Sequence, residues 1–320
     1  MSHDHSQLDR RCFVRNLAIG TGATAFAAAT AQARPAPKAT RYPVCCFAKP
    51  LQHMTFDALA DFLQPLGFQG IEATVRKGGQ VEPERVEQDL PKLVDALRRR
   101  GLEITIMATD INRADQPLTA KVLETAARLG IKRYRFKAYH YDLSKPILPQ
   151  LATYGRALRD LAALNRALGI TGLYQNHSGK NYVGAPVWDI YNAVRPLPPA
   201  QAAIAFDIRH ATVEGGLSWP IQFNLVRSHM AMVYVKDFVW DGRKPKNVPL
   251  GQGMVDPHFF KMLAATSFTG PISLHIEYFD HRNPTLAKQR EQAVANDIKT
   301  LRKLLADARA SVLKHQRKTK

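Results

Sequence analysis

Along this chain, short apolar runs end repeatedly in side chains that can move a proton or hold a cation. Glu72 closes Gly70-Ile71, Asp110 follows Glu103–Ala108, and Tyr139, His140 and Asp142 follow Arg133–Ala138. Gln175, Asn176 and His177 follow Thr171–Tyr174, and Asp207, Arg209 and His210 follow Ala203–Phe206. Lys236 and Asp237 follow Met232–Val235, and Glu277 follows Ile272–Ile276. A charge at the mouth of a buried strand costs desolvation energy unless something pairs with it. Carboxylates, imidazoles and amides converging from many strands have the composition of a divalent-metal or polyol pocket. Singly, each has a bland reading: Lys236 pairs with Asp237, Glu72 is a solvated loop carboxylate, His275 faces the core or a helix. Their recurrence at strand ends favours a shared site.

The elements that would position them alternate strictly. The pattern predicts strands at 42–47, 70–73, 103–108, 133–138, 171–174, 203–206, 232–235 and 272–276. Between and after them it predicts helices at 55–66, 82–100, 118–129, 144–168, 187–194, 217–228, 257–265 and 285–313, several stopped by Gly. Eight strand–helix units imply an α/β fold with a parallel sheet, and the length suits a single (β/α)8 TIM barrel. A doubly wound sheet would carry a Gly-rich phosphate loop after its first strand. Ala48-Lys-Pro-Leu51 has none, and Gly78-Gly79 is too short to be one.

The 320 residues carry a formal charge of +18, part of it in a basic tail at 314–320 expected to be frayed and solvated. Nucleic-acid motifs are missing, so no nucleic-acid partner is expected. Arg10-Arg11 precedes an Ala-, Gly- and Thr-rich run and then Ala31-Gln32-Ala33. Residues 1–33 therefore read as a twin-arginine (Tat) signal peptide, 34–41 as a linker and 42–313 as the barrel. The expected location is periplasmic or secreted, with no membrane span once the signal is removed. Of three cysteines, Cys12 leaves with the signal. Adjacent Cys45 and Cys46 are expected to be small buried residues without a disulfide.

Gly70-Ile-Glu72, Gln175-Asn-His-Ser-Gly179, Phe206-Asp-Ile-Arg-His210, Val233-Tyr-Val-Lys-Asp237 and Leu274-His-Ile-Glu-Tyr278 carry a resemblance over 42–310. The chain resembles the sugar phosphate isomerase/epimerase-like, or xylose isomerase-like, TIM-barrel family, in an exported, Tat-signal-bearing form. That family also contains apurinic-site endonucleases. The resemblance implies one divalent metal (Mn, Mg, Zn or Co) held at the positions of Gln175, Asp207, Tyr234 and Glu277. Gln175 and Tyr234 depart from the usual Glu and His, so the implied set becomes Asp207, Glu277, Gln175 and His210. This is a weaker site for Mn²⁺ or Zn²⁺.

The resemblance also implies proton abstraction α to a carbonyl, with Glu277 as principal base. Lys236, His177 and Glu72 are the other candidate catalytic groups, and Lys236, His210 or a metal would stabilise the enediolate. Asn176, His210, Arg209, Trp219, Trp240 and Asp237 are candidate substrate contacts; Trp188 is as readily a packing residue. The segment Phe238–Val255 is long enough to be a lid or substrate-facing loop. An exported chain points to a non-phosphorylated sugar or keto-sugar. A keto-sugar or glycoside lyase using the same chemistry is the first alternative. A non-catalytic sugar-binding protein that has lost metal ligands is the second, and an apurinic-site endonuclease the third. The sugar and the oligomeric state stay open.

Overall fold

The computed structural model describes residues 41–318. The twin-arginine segment and all of the linker but Arg41 lie outside the described residues. The strands are β1 (Val44–Phe47), β2 (Gly70–Val75), β3 (Glu103–Thr109), β4 (Arg133–Arg135) and β5 (Thr171–Gln175). They continue with β6 (Ala202–Asp207), β7 (Met230–Val235), β8 (Asp237–Asp241), β9 (Lys244–Val248) and β10 (Ile272–Leu274). The α-helices are α1 (Phe56–Leu63), α2 (Val86–Arg98), α3 (Thr119–Arg128), α4 (Ile147–Leu168) and α5 (Trp188–Val194). After them come α6 (Ile208–Gly215), α7 (Trp219–Val226), α8 (His258–Ala264) and α9 (Ala287–Lys318).

Strands β1 to β7 and β10 close into a parallel barrel in the order β1-β10-β7-β6-β5-β4-β3-β2. The fold is a single (β/α)8 TIM barrel. Alternation along each strand sends one residue outward to the helices and the next into the lumen. Ile71, Tyr174, Phe206 and Val235 join the outer core with Leu59, Leu93, Leu158 and Phe259. Cys45, Ile106, Leu173, Ala203, Ala205, Met232 and Tyr234 plug the lumen. The small side chains of Cys45, Ala203 and Ala205 make room for Met232 and Tyr234, as close packing requires. Cys45 and Cys46 are both buried and free.

Two register shifts interrupt the barrel, at Ile71/Glu72 between β2 and β3 and at Ile204/Ala205 between β6 and β7. Each lies just below a lumenal carboxylate, Glu72 or Asp207, where a bulge re-aims the strand end. Asp207 then caps α6, accepting the His210 amide at 3.1 Å. That helix starts where a loop was expected, and the predicted helix at 217–228 shortens to α7.

The segment after β7 is a β8–β9 hairpin rather than an irregular loop. Helix α9 runs to Lys318, beyond the expected end at 313, and most of the basic tail is therefore helical. Strands β4 and β10 end earlier than predicted, although the Phe136 amide still donates to the Leu173 carbonyl at 2.9 Å and the His275 amide to the Val235 carbonyl at 3.0 Å. No described helix is long and apolar enough to cross a membrane.

Candidate active site

The lumenal alternation that buries Leu173, Ala205 and Met232 places Gln175, Asp207 and, beyond Tyr234, Lys236 above them at the C-terminal mouth. His275 and Glu277 extend the inward row of Ser273 on β10. These side chains form a closed polar ring. Glu72 accepts from Ser273 Oγ and His275 Nε2, each at 2.8 Å, and faces Arg135 Nε at 3.5 Å. Arg135 donates to Gln175 Oε1, and Gln175 Nε2 donates to Asp207 Oδ2 at 2.7 Å. Lys236 Nζ lies 3.4 Å from Asp207 Oδ2 and 2.6 Å from Glu277 Oε2, and His275 Nδ1 closes the ring 3.7 Å from Glu277.

The ionisation of the ring follows from its pairing. Burial opposes the charges on Glu72, Glu277, Lys236, Arg135 and His275, but their neighbours win. Burial raises the Glu72 pKa, yet His275 and Arg135 bring it down to about 2. Burial likewise opposes ionisation of Glu277, but Lys236 and His275 hold its carboxyl well below the usual range. Lys236, Arg135 and His275 are each driven down by burial and raised further by the carboxylates they face. Three carboxylates therefore face three cations, and the ring is neutral when all six are ionised.

Neutrality bears directly on the expected metal. Among the described residues no three His, Cys, Asp or Glu side chains are placed to hold an ion. Gln175 is bonded to Arg135 and Asp207. The Tyr234 hydroxyl is buried without a hydrogen-bond partner, and burial holds it protonated. The ammonium of Lys236 sits between the two surviving carboxylates. A divalent cation would have to displace it or add uncompensated charge in low dielectric. The expected set Asp207, Glu277, Gln175 and His210 does not fit a metal.

Above the ring opens a cleft of about 340 Å³, walled by Lys49, His177, His210, Lys236, Glu277 and Phe279. His177 is stacked between Tyr182 and His210, with ring centroids 4.2 and 4.1 Å away. Burial and the Lys236 charge push its pKa down to about 4, so it is neutral at pH 7. His210 Nδ1 accepts from the Ser178 amide at 3.1 Å and sits 2.7 Å from the Ser178 hydroxyl. The Ser178 hydroxyl itself accepts from Arg209 Nη1 at 2.8 Å. That chain assigns the His210 proton to Nε2, which faces Asp207 at 3.5 Å. The β8–β9 hairpin roofs the cleft with Pro245 and Asn247. Asn247 Nδ2 donates to the Glu277 carbonyl at 3.2 Å, and Arg209 Nη2 lies 3.4 Å from the Pro245 carbonyl.

Several expected site residues lie elsewhere. Glu72 is wholly buried, is not among the residues lining the cleft, and holds His275 Nε2 at 2.8 Å. Asn176 clamps the Asp207 backbone, donating to its carbonyl at 3.0 Å and accepting its amide at 2.7 Å, and is buried away from the residues that line the cleft. Asp237 does not pair with Lys236; its carboxylate accepts the amides of Phe238, Gly251, Gly253 and Val255. Trp219 packs edge-on against Phe259 in the outer core. Trp240 packs edge-on with Phe238 and is exposed, outside the cleft walls, and Trp188 is also exposed. Tyr139 stacks on Tyr154 and Tyr174, and Asp142 is used in a turn with Ser144 and Lys145. Arg135, Lys49 and Ser178 were not singled out from sequence. An Arg alternating inward on the short run Arg133-Tyr-Arg135 was the available signal for the first.

The barrel and its residues define a family. The chain belongs to the xylose isomerase-like TIM barrel family, whose model matches residues 60–304. Solved structures share the architecture. A probable 3-DHS dehydratase of Bacillus anthracis is 17% identical with a TM-score of 0.61, covering 81% of this chain and 98% of the other. The 3-keto-D-glucoside 4-epimerase of E. coli is 15% identical with a TM-score of 0.59, covering 81% and 99%. A D-allulose 3-epimerase of Methylomonas is 15% identical with a TM-score of 0.61, covering 83% and 98%. At these identities the likeness is one of fold. No curated protein matches the chain.

Proposed function

We propose that this protein is a carbohydrate isomerase or epimerase that removes the proton α to the carbonyl of a keto-sugar. Family membership and the epimerase names of two structural neighbours support the class. The observation that carries it is the Lys236–Glu277 pair at 2.6 Å on the cleft floor, a carboxylate base in contact with an ammonium electrophile. In the reaction the C–H bond breaks and its proton passes to Glu277. The electron pair forms the enediolate, whose oxygen is stabilised by Lys236. A substrate oxygen that takes one of the Lys236 hydrogen bonds relieves Glu277 of its counter-ion and raises its basicity at the moment it is needed. His177, neutral and facing the cleft, returns or relays the proton at the second position. No step passes through a metal, because the donor set does not fit one.

A twin-arginine-like N-terminal sequence supports a reaction outside the cytoplasm and, with it, a non-phosphorylated sugar. Elimination from the same enediolate, a lyase outcome, is the second reading, favoured by the dehydratase neighbour. Incubating keto-sugars with the protein in D₂O and reading the α position by NMR tests the proposal. Exchange by the wild type, abolished in Glu277→Gln, is the expected result. No exchange with any keto-sugar would leave a carbohydrate-binding protein; undiminished exchange in the variant would remove Glu277 as base.

A further inference from the structure

A second cleft, about 750 Å³, opens beside the first over the ends of β1, β2 and β3. Lys49 and His281 line both, so the two form one continuous depression. The walls of the second are cationic: Lys49, Arg76, Lys77 and Arg282 face a single carboxylate, Asp110. That carboxylate has its own partner, Lys137, at 3.7 Å.

Arg76 is the informative residue. Its guanidinium is partly buried, yet among the described residues it has no side-chain hydrogen bond and no carboxylate within ion-pair distance. Burial, and the Arg135 charge behind it, lower its pKa. A desolvated cation without a counter-ion costs free energy that a bound anion would recover. Lys77 and Arg282 are likewise without ion-pair partners.

The loop that presents Arg76 and Lys77 is firmly held. Gly78 donates to Glu82 Oε1 at 2.8 Å and its carbonyl accepts from Gln52 Nε2 at 2.8 Å. At Gly79 a Cβ would lie 2.5 Å from the Thr74 carbonyl, so only glycine lets the loop fold back this tightly. The Gly78-Gly79 pair thus shapes a cationic edge rather than a nucleotide loop.

We infer that the substrate carries a carboxylate, seated on Arg76, Lys77 and Arg282 while its sugar ring reaches Lys236 and Glu277. The inference rests on the reading under "Proposed function" and names the class of sugar that site takes. Lys49, 3.6 Å from Glu277 Oε1, stands between the two parts.

Calorimetric titration of the full chain with D-glucuronate, D-glucose 6-phosphate and D-glucose at fixed ionic strength tests it. D-glucuronate should bind about tenfold or more tightly than glucose, with affinity falling as salt rises. Arg76→Gln and Arg282→Gln should each remove most of that advantage and leave glucose binding unchanged. Tighter binding of glucose 6-phosphate than of glucuronate would overturn the carboxylate and assign the seat to a phosphate. Equal affinity for all three, binding of none, or variants that keep the preference would overturn the inference. The two proposals fail separately. A charged sugar held through Arg76 that never exchanges deuterium refutes the isomerase and keeps the anion seat. Exchange of a neutral keto-sugar, unaffected by either variant, does the reverse.

Discussion

Lys236 Nζ donates to Glu277 Oε2 at 2.6 Å while lying 3.4 Å from Asp207 Oδ2, so one ammonium ties together the ends of β6, β7 and β10. The two carboxylates it joins are those the resemblance assigns to a metal. Here the protein supplies the positive charge itself.

Replacing that ammonium should cost both chemistry and stability. Lys236→Gln leaves Asp207 and Glu277 facing each other without their cation. Deuterium exchange should fall about 100-fold or more, the usual loss when one preorganised charge stabiliser is removed. Unfolding free energy should fall by about 3 kcal/mol, read from urea melts. In the wild type, EDTA or added Mn²⁺ should change exchange by less than about twofold, since a neutral ring offers a divalent ion no net attraction. A rate that collapses in EDTA and returns with Mn²⁺ would refute the charge balance proposed for the ring.

The buried imidazole of His177 makes stability depend on pH in a definite direction. Its folded pKa is about 4, below its unfolded value. The unfolded chain therefore binds the proton first. The contribution is fully present above about pH 6.5 and is lost as pH falls toward 4. Between those limits it amounts to about 3 kcal/mol. His177→Phe keeps the stack on Tyr182 without the titration, so its urea midpoint should decline less between pH 7 and 4.5. An identical decline in both proteins would assign the effect to other groups.

Asp237 is expected to be structural. Its carboxylate accepts four backbone amides that shape the turn beyond the hairpin. Asp237→Ala strands those donors and should destabilise the fold by about 3 kcal/mol. Protease sensitivity should appear within residues 249–255. A variant as stable and as resistant as wild type would show that water replaces the carboxylate.

Trp240 provides the contrasting case. It is 47% exposed and lies outside the cleft. Trp240→Ala should change stability by less than about 0.5 kcal/mol. Substrate affinity should also be unchanged. A large rise in KM would mean that the hairpin closes over substrate with its indole inward.

Much of the site was legible because a parallel barrel concentrates polar side chains at strand ends. Glu277, Lys236, His177, Asp207, Gln175, His210 and Arg209 gather at the mouth or in its rim. Asn176 and Asp237 misled for one physical reason. Each is the immediate neighbour of an inward residue, Gln175 or Lys236, and successive residues point to opposite faces. The tryptophans misled because an indole suits a sugar face and an outer-core gap equally well.

Alternating strands and helices, each with its apolar period, were enough to determine the barrel and which strand ends carry charge. Local sequence contains that information because periodicity is a property of neighbours. Which charges neutralise one another was decided only by closure of the barrel. Arg135 meets Glu72, His275 meets Glu277 and Lys236 meets Asp207 through register and bulges that no local pattern records. Coulomb energy depends on distances across the lumen, and those distances do not exist until the strands are in place.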